Sequence, residues 1–221
     1  EEVSWFCKEF IKGLQNEGII ACAKHFPGHG DTSVDSHKEL PVLKADMKRL
    51  NKTELFPFAE AVKANVKMVM IGHLMVPAID PDLPSSLSHK TIATLLRKKM
   101  GYKGLVITDA MNMQAVSGRT KESEGKACMR ALLAGADIIL HPSDPEYVID
   151  YLSAHSETIA KRVDESYMRV LQVKKKFNKP PSSQNIRTVG SRDNCKTAHE
   201  LAKRSINDIK VKILTGEKIS L

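Results

Sequence analysis

Four apolar runs of strand length divide the chain into repeating units. Each run is nearly continuous rather than alternating, which is typical of parallel strands covered on both faces. Longer segments with helical periodicity lie between the runs, so the pattern predicts a strand-then-helix repeat. The runs are GIIACAKHF (18–26), VKMVMIGH (66–73), GLVITDA (104–110) and ADIILHP (136–142).

The segments between the runs carry helix start and stop signals. They read TELFPFAEAVKANV, SHKTIATLLRKKM and KESEGKACMRALLAGA. Ser88 is placed to cap the second of these helices, and Gly135 to end the third. Two further helices are predicted, one over the opening EEVSWFCKEFIKGLQNE and one from His155 to about Asn178.

The repeat predicts an α/β fold of (β/α)8 TIM-barrel type, with only about the C-terminal half of the barrel present. A complete barrel has eight units and about 250 residues, whereas residues 1–178 supply about half that number of units. Residues 179–195 are rich in Pro, Ser and Asn and predict a linker. The helical KTAHELAKRSI and the apolar run KVKIL then predict that 196–221 is the truncated start of a second α/β domain, or a helix–strand appendage of the first.

Polar side chains follow each apolar run where the predicted strand ends. They are Lys24 and His25 after the first run, His73 after the second, Asp109 after the third and His141 after the fourth. The carboxyl ends of parallel strands carry the active site of a barrel and the ligand site of a doubly wound sheet. This edge is therefore the predicted site, with His141 interpreted as an ordinary loop residue.

The connection after the first run, KHFPGHGDTSVDSHKELP (24–41), is long and dense in titratable groups. Loops of this length in compact domains are usually functional or disordered. Asp35 and His37 suggest an imidazole oriented by a carboxylate, because a histidine with a pKa near ~6.5 exchanges protons near neutrality. A metal site is the alternative, but the spacing matches no compact metal signature. Its ligands would be His25, His29, Asp31, Asp35 and His37.

The net charge of +8 belongs to one end of the chain. Residues 161–221 hold 15 Lys and Arg against 6 Asp and Glu, while 1–160 hold 19 against 20. Lys174, Lys175 and Lys176 lie in a helical pattern without interleaved aromatics, which favours a solvated helix face over a nucleic-acid surface. The sequence contains no apolar run of about 18 residues, so it predicts no membrane span. The opening residues lack the features of a secretory signal.

The four cysteines lie far apart and form no CxxC pair, so they predict neither a zinc site nor a redox motif. They are Cys7, Cys22, Cys128 and Cys195. Cys22 and Cys128 fall in apolar patterns and are expected to be small core residues.

The segments KHFPGHGDTSVDSH and ITDAMNM resemble the two signature segments of glycoside hydrolase family 3, in its β-N-acetylglucosaminidase (β-hexosaminidase) branch. The resemblance covers roughly residues 1–178 and extends through IGHLMVPAID and RVDESYMRVLQVKKKF. It implies the second half of a catalytic barrel and a retaining hydrolase that needs no cofactor and no metal.

The resemblance also implies a role for each matching residue. Asp109 in ITDAM matches the nucleophile, His37 the acid/base, and Asp35 the carboxylate paired with it. Lys24 and His25 match residues that contact the bound sugar. The family's other sugar contacts, an aspartate and arginines from the first half of the barrel, have no counterpart in this sequence.

Structural interpretations are also open for three candidate residues, His73, Met111 and Asp109. His73 and Met111 are further candidates for the sugar-binding pocket. The alternative for His73 is a histidine at the edge of the sheet whose hydrogen bonds are all made within the protein, and the alternative for Met111 is packing in the core. An aspartate at a strand end often caps the following helix, which is the alternative for Asp109.

The implied activity is exo-hydrolysis of terminal β-linked N-acetylglucosamine from peptidoglycan fragments (muropeptides) or related amino sugars, in cell-wall turnover. A family 3 β-glucosidase or β-xylosidase is the nearest enzymatic alternative. The segment DSH (35–37) argues against this alternative. Water and phosphate are both compatible acceptors, and envelope, extracellular and cytoplasmic locations all remain open.

An alternative from a different class of protein is that the chain is an inactive half-barrel with at most a sugar-binding or assembly role. An open half-barrel exposes strand edges and an apolar flank. We therefore expect self-association, or association with the missing N-terminal half of the barrel.

Overall fold

A computed structural model of the chain describes residues 2–30, 40–113, 116, 118, 120–177 and 190–215, with side chains described as far as 204. The chain divides into two compact units, Glu1–Asn178 and Lys179–Leu221. The candidate site lies in the first unit.

The four predicted strands are confirmed. They are β1 (Cys22–Phe26), β2 (Met68–Ile71), β3 (Leu105–Ala110) and β4 (Ile138–Leu140). They form one parallel sheet in the order β1-β2-β3-β4. A doubly wound sheet reverses its strand order at a switch point, whereas here spatial order follows chain order. The architecture is therefore that of consecutive units of a (β/α) barrel, as predicted.

Helices connect the strands and follow the last one. Ser88 accepts a hydrogen bond from the Thr91 backbone N–H at 3.1 Å, so it helps to start the helix that was predicted there. Gly135 ends a helix at φ 122°, a backbone conformation that favours glycine. The helices are α1 (Glu2–Asn16), α2 (Met47–Lys52), α3 (Phe56–Lys63), the π-type α4 (Lys90–Lys99), α5 (Lys121–Ala134), α6 (Pro145–Ala154) and α7 (Ser156–Phe177).

The core lies between the sheet and the helices. Val69 and Ile71 of β2 are fully buried, whereas Met68 and Met70, which point to the other face, are only half-buried. The helix-covered face therefore holds the better packed part of the core. By the alternation of side chains along a strand, Met68 and Met70 mark the inner face of the sheet.

Two cysteine predictions have different outcomes. Cys128 is buried on α5, as expected. Cys22 is exposed, so its assignment to the core is wrong. It pairs in register with Met68 on the inner face, and β1 is an edge strand without a neighbour on its other side among the described residues.

The second unit contains helix α8 (Arg192–Thr215). This helix begins inside the predicted linker 179–195 and continues through KVKIL. The helix–strand interpretation of this segment is therefore wrong, and an α/β domain beginning at residue 196 stays a prediction. None of the described helices is both long and apolar enough to cross a membrane.

Candidate active site

The carboxyl ends of the parallel strands meet at one edge of the sheet. The register pairs Phe26 with Ile71 and Ile71 with Thr108, which sets the ends of β1, β2 and β3 side by side. His25 precedes Phe26, and Asp109 follows Thr108. The structure therefore brings together His25 and Asp109, two of the predicted site residues, which lie 84 positions apart in the sequence.

The Asp109 carboxylate is held by the rigid strand β3 and is 21% exposed. Its Oδ1 accepts a hydrogen bond from the backbone N–H of Ala110 at 2.8 Å. Its Oδ2 lies 3.7 Å from Nε2 of His25. One oxygen is thus fixed by the backbone while the carboxylate as a whole stays accessible, which suits a nucleophile that must meet a substrate atom.

His25 is half-buried beside this carboxylate. Burial lowers the pKa of its imidazole below the ordinary value; the Asp109 charge opposes the shift, and the charges of Lys24 and His29 add to it. The ring of His29 meets that of His25 edge-on, with centroids 5.9 Å apart. His25 is therefore neutral near pH 7 and can both donate and accept hydrogen bonds.

Lys24 and His141 lie at the same edge and are exposed. Lys24 stands next to His25 on β1, where its ammonium group contributes to the low pKa of that histidine. His141 has a φ of 47°, and its carbonyl oxygen accepts a hydrogen bond from the Asn112 N–H at 3.1 Å. This backbone link fits the interpretation of His141 as a loop residue.

His73 and Met111 are not available to a sugar. His73 is 1% exposed and Met111 is fully buried in the core. The two ring nitrogens of His73 lie 2.7 Å from Ser86 Oγ and 3.1 Å from the carbonyl oxygen of Ala110. The prediction that they bind substrate is therefore wrong, because neither side chain is exposed at the sheet edge.

Asp35 and His37 lie outside the described residues, so their roles as oriented acid/base stay predictions. Asp31, a possible metal ligand in the alternative interpretation, lies outside them too. Among the residues that the structure describes, no group of three His, Cys, Asp or Glu side chains could hold a metal ion.

Glu54 is a feature of the site region that the sequence did not reveal. Its side chain is 6% exposed, and its Oε1 accepts a hydrogen bond from Arg49 at 3.1 Å. Gly28, at φ 131°, passes so close that an added Cβ would lie 2.7 Å from Glu54 Cβ. Only glycine satisfies both the φ angle and this contact. The only sequence signal was Gly28 itself, and it did not indicate which residue the backbone approaches.

Comparisons with known proteins agree on one family. The profile described as glycosyl hydrolase family 3 N terminal domain matches residues 1–173. The β-hexosaminidase A of Pseudoalteromonas piscicida is 30% identical over 226 residues, covering 90% of this chain and 38% of that protein. A protein of Cellulomonas fimi named β-N-acetylglucosaminidase/β-glucosidase is 28% identical over 220 residues, covering 91% of this chain and 39% of its own length.

A solved structure gives the same result. The glycoside hydrolase family 3 β-N-acetylglucosaminidase from Paenibacillus sp. str. FPU-7 superimposes with a TM-score of 0.73 and 37% identity. The match covers 80% of this chain and 36% of that structure. The chain thus spans about two fifths of the length of each of these relatives.

Proposed function

Because the chain belongs to glycosyl hydrolase family 3, we propose that it carries the nucleophile Asp109 and the acid/base His37 of a retaining exo-β-N-acetylglucosaminidase. The observation that supports this proposal most directly is the partly exposed Asp109 carboxylate at the end of β3, with a neutral histidine beside it. A strand-borne carboxylate keeps its position while the substrate reacts, which is the geometry that covalent catalysis needs.

The proposed first step forms a glycosyl-enzyme. A carboxylate oxygen of Asp109 bonds to C1 of the terminal sugar as the bond from C1 to the aglycone oxygen breaks, and His37 gives its proton to that oxygen. In the second step neutral His37 takes a proton from water, the water oxygen bonds to C1, and Asp109 leaves as a carboxylate. Two inversions at C1 restore the β configuration.

The acid/base role of His37 departs from the usual pair of carboxyl groups in retaining glycosidases. Asp35 would orient the imidazole and stabilise its charged form, as the third member of a hydrolase triad does. Lys24 and His25 are proposed to hold the sugar through its hydroxyl groups, since an exposed ammonium and a neutral imidazole both present hydrogen-bond donors.

The proposed substrates are peptidoglycan fragments or related amino sugars that end in β-linked N-acetylglucosamine. The names of the Pseudoalteromonas and Paenibacillus relatives support the N-acetylated sugar. The name of the Cellulomonas fimi relative gives both β-N-acetylglucosaminidase and β-glucosidase activity. Cleavage of β-glucosides is therefore the second candidate activity.

Two aryl glycosides distinguish these candidates. Nitrophenol release from aryl N-acetyl-β-glucosaminide and from aryl β-glucoside is measured for this chain and for the full-length polypeptide that its gene encodes. The full-length protein is expected to prefer the N-acetyl substrate by about 10²-fold in kcat/KM, because a site built for the acetamido group leaves polar groups unpaired with glucose. A reversed preference would favour the β-glucosidase, and a folded protein that cleaves neither substrate would refute the proposal.

Replacing His37 by alanine is expected to lower kcat by about 10²-fold for an aglycone that needs protonation. Dinitrophenolate leaves without a proton donor, so formation of the glycosyl-enzyme from its glycoside is expected to be nearly unaffected. The measurement compares the pre-steady-state release of dinitrophenolate with that of an aglycone that needs protonation to leave. His89→Ala, an exposed histidine at the start of α4, serves as the control. Equal losses for both aglycones would contradict proton donation by His37.

We also propose that further βα units, from the rest of the polypeptide or from a second copy, cover one side of this half-barrel. β1 is an edge strand of the described sheet. On the preceding helix α1, Phe6 and Phe10 stack on each other while remaining 63% and 59% exposed. Trp5 is equally exposed. A free strand edge together with exposed aromatic side chains favours association.

The 221-residue chain alone is therefore expected to elute above its monomer mass of 24.5 kDa. The double variant Phe6→Glu, Phe10→Lys is expected to shift it to the monomer by removing the apolar surface. Light scattering coupled to size exclusion gives the mass. Met168→Lys, at an exposed apolar position on α7, is the matched control. A well-folded wild-type monomer would contradict this proposal.

A further inference from the structure

His73 is fully buried directly behind the nucleophile, although it belongs to another strand unit. One ring nitrogen, Nε2, lies 3.1 Å from the carbonyl oxygen of Ala110, the residue after Asp109. The other, Nδ1, lies 2.7 Å from Ser86 Oγ. Ser86 is itself fully buried in a short 3₁₀ turn, Ser85–Leu87. The imidazole therefore bridges a fixed turn and the backbone that carries the nucleophile.

The partners define the tautomer of this ring. A carbonyl oxygen can only accept, so the hydrogen lies on Nε2 and is donated to Ala110. Nδ1 of the neutral ring is then an acceptor, and the Ser86 hydroxyl donates to it. Burial lowers the pKa of His73, which keeps the ring in this neutral form although hydrogen bonding to Ala110 and the Asp109 charge oppose the shift.

The hydrogen bond from His73 acts on the residue that holds the Asp109 carboxylate. The N–H of Ala110 donates to Asp109 Oδ1 at 2.8 Å, while the carbonyl of Ala110 accepts from His73 and from the Met113 N–H at 3.2 Å. Ala110 is thus fixed on both of its peptide units. A rotation at Ala110 would change the direction of the N–H that holds Oδ1.

We propose that His73 is a positioning residue for the nucleophile, acting through the backbone of Ala110 in the relay Ser86, His73, Ala110, Asp109. This inference rests on the proposed function, since it concerns the reaction at Asp109. The relay keeps the carboxylate in the orientation from which it meets C1 of the sugar. A misplacement of about 1 Å in a reacting group can lower a rate by about 10²-fold.

Two substitutions of similar size separate positioning from packing. His73→Gln retains a side-chain N–H donor that can reach the Ala110 carbonyl, whereas His73→Leu fills the space without a donor. Ser86→Ala removes the hydroxyl that fixes the ring, and Ser85→Ala is its matched control, because Ser85 is equally buried but donates to the carbonyl of Leu74 at 3.0 Å. All four are made in the full-length polypeptide.

The readouts are kcat and KM for the aryl N-acetyl-β-glucosaminide, and the thermal midpoint of each variant. His73→Leu is expected to lower kcat by about 10- to 100-fold with KM nearly unchanged, and His73→Gln to recover most of that loss. Ser86→Ala is expected to lower kcat by a few-fold, and Ser85→Ala to leave it unchanged. Nitrogen NMR of the unmutated protein is expected to show the Nε2–H tautomer of His73.

The outcomes separate the two proposals. If the unmutated protein turns over but His73→Leu and His73→Gln lose kcat equally, or lose it only in step with thermal stability, His73 is a packing residue and the inference fails. The Nδ1–H tautomer would also overturn it. If the folded, unmutated protein cleaves no aryl glycoside, the proposed function fails, and the positioning role fails with it.

Discussion

Replacing Asp109 by asparagine is expected to reduce kcat by about 10⁴-fold or more, the scale seen when other covalent hydrolases lose their nucleophile. Asparagine has the same shape, and its Oδ1 can still accept the hydrogen bond of the Ala110 N–H, so the end of β3 keeps its geometry. The neutral amide, however, cannot form the glycosyl ester. Steady-state rates with the aryl N-acetyl-β-glucosaminide give the loss, and Asp150→Asn on the surface of α6 is the matched control.

A smaller side chain turns the same position into a direct test of the bond that forms. In Asp109→Gly, azide is expected to enter the vacated space and bond to C1 while the aryl aglycone leaves. Because this attack inverts C1 only once, the product is the α-glycosyl azide, whereas the unmutated enzyme releases the β sugar. Absence of the azide adduct, or Asp109→Asn turnover equal to that of Asp150→Asn, would place the nucleophile elsewhere.

The sequence predicted the location of the site better than the direction of its side chains. Asp109 and His25 lie within β3 and β1, where the order of residues along a strand fixes their place at the sheet edge. His73 and Met111 follow the last residues of their strands, where side-chain alternation no longer applies. Contacts with Ser86 and Ala110 set the direction of His73, and those residues lie 13 and 37 positions away. No local pattern carries this information.

The fold was predictable wherever the pattern was long or continuous. The four strands were recognisable because a parallel strand covered on both faces needs an unbroken apolar run. The five-residue run KVKIL was not decisive, since periodicity cannot distinguish a strand from a helix over so short a length. Helix α6 was missed although Asp144 and Pro145 are standard residues for a helix start, and the Asp144 carboxylate does accept the Tyr147 N–H at 3.0 Å.

The largest expected effect on stability concerns Asp137, which the sequence did not mark as special. Its carboxylate is completely buried just before β4. Oδ1 accepts hydrogen bonds from Arg162 and Arg169 of α7 at 2.7 and 2.9 Å, and Oδ2 accepts one from Arg97 of α4 at 2.5 Å. Asp137→Ala leaves these largely buried guanidinium groups without their counter-charge, and is expected to lower the free energy of unfolding by about 3–5 kcal/mol.

A loss of this size is a large part of the roughly 5–15 kcal/mol that stabilises a typical domain. Denaturant titration at pH 7 measures it. The control is Glu122→Ala, which removes a solvent-exposed carboxylate paired with Lys126 on α5 and is expected to leave the unfolding midpoint unchanged. Equal midpoints for Asp137→Ala and the control would mean that the arginines find other partners and that the cluster contributes little.

The pH dependence of the stability loss in a second variant, Asp137→Asn, identifies charge as the cause. Burial raises the pKa of Asp137, but Arg97, Arg162 and the Val106 N–H outweigh it and hold that pKa below its ordinary value. The unfolded carboxyl titrates near ~3.9, so the stabilising contribution is complete above that pH and is lost as pH falls through the lower, folded pKa. The difference in unfolding free energy between the unmutated chain and Asp137→Asn is therefore expected to be constant from about pH 5 to 7 and to shrink below about pH 4. A difference that persisted undiminished in acid would show that Asp137 acts through its shape and hydrogen bonds rather than through its charge.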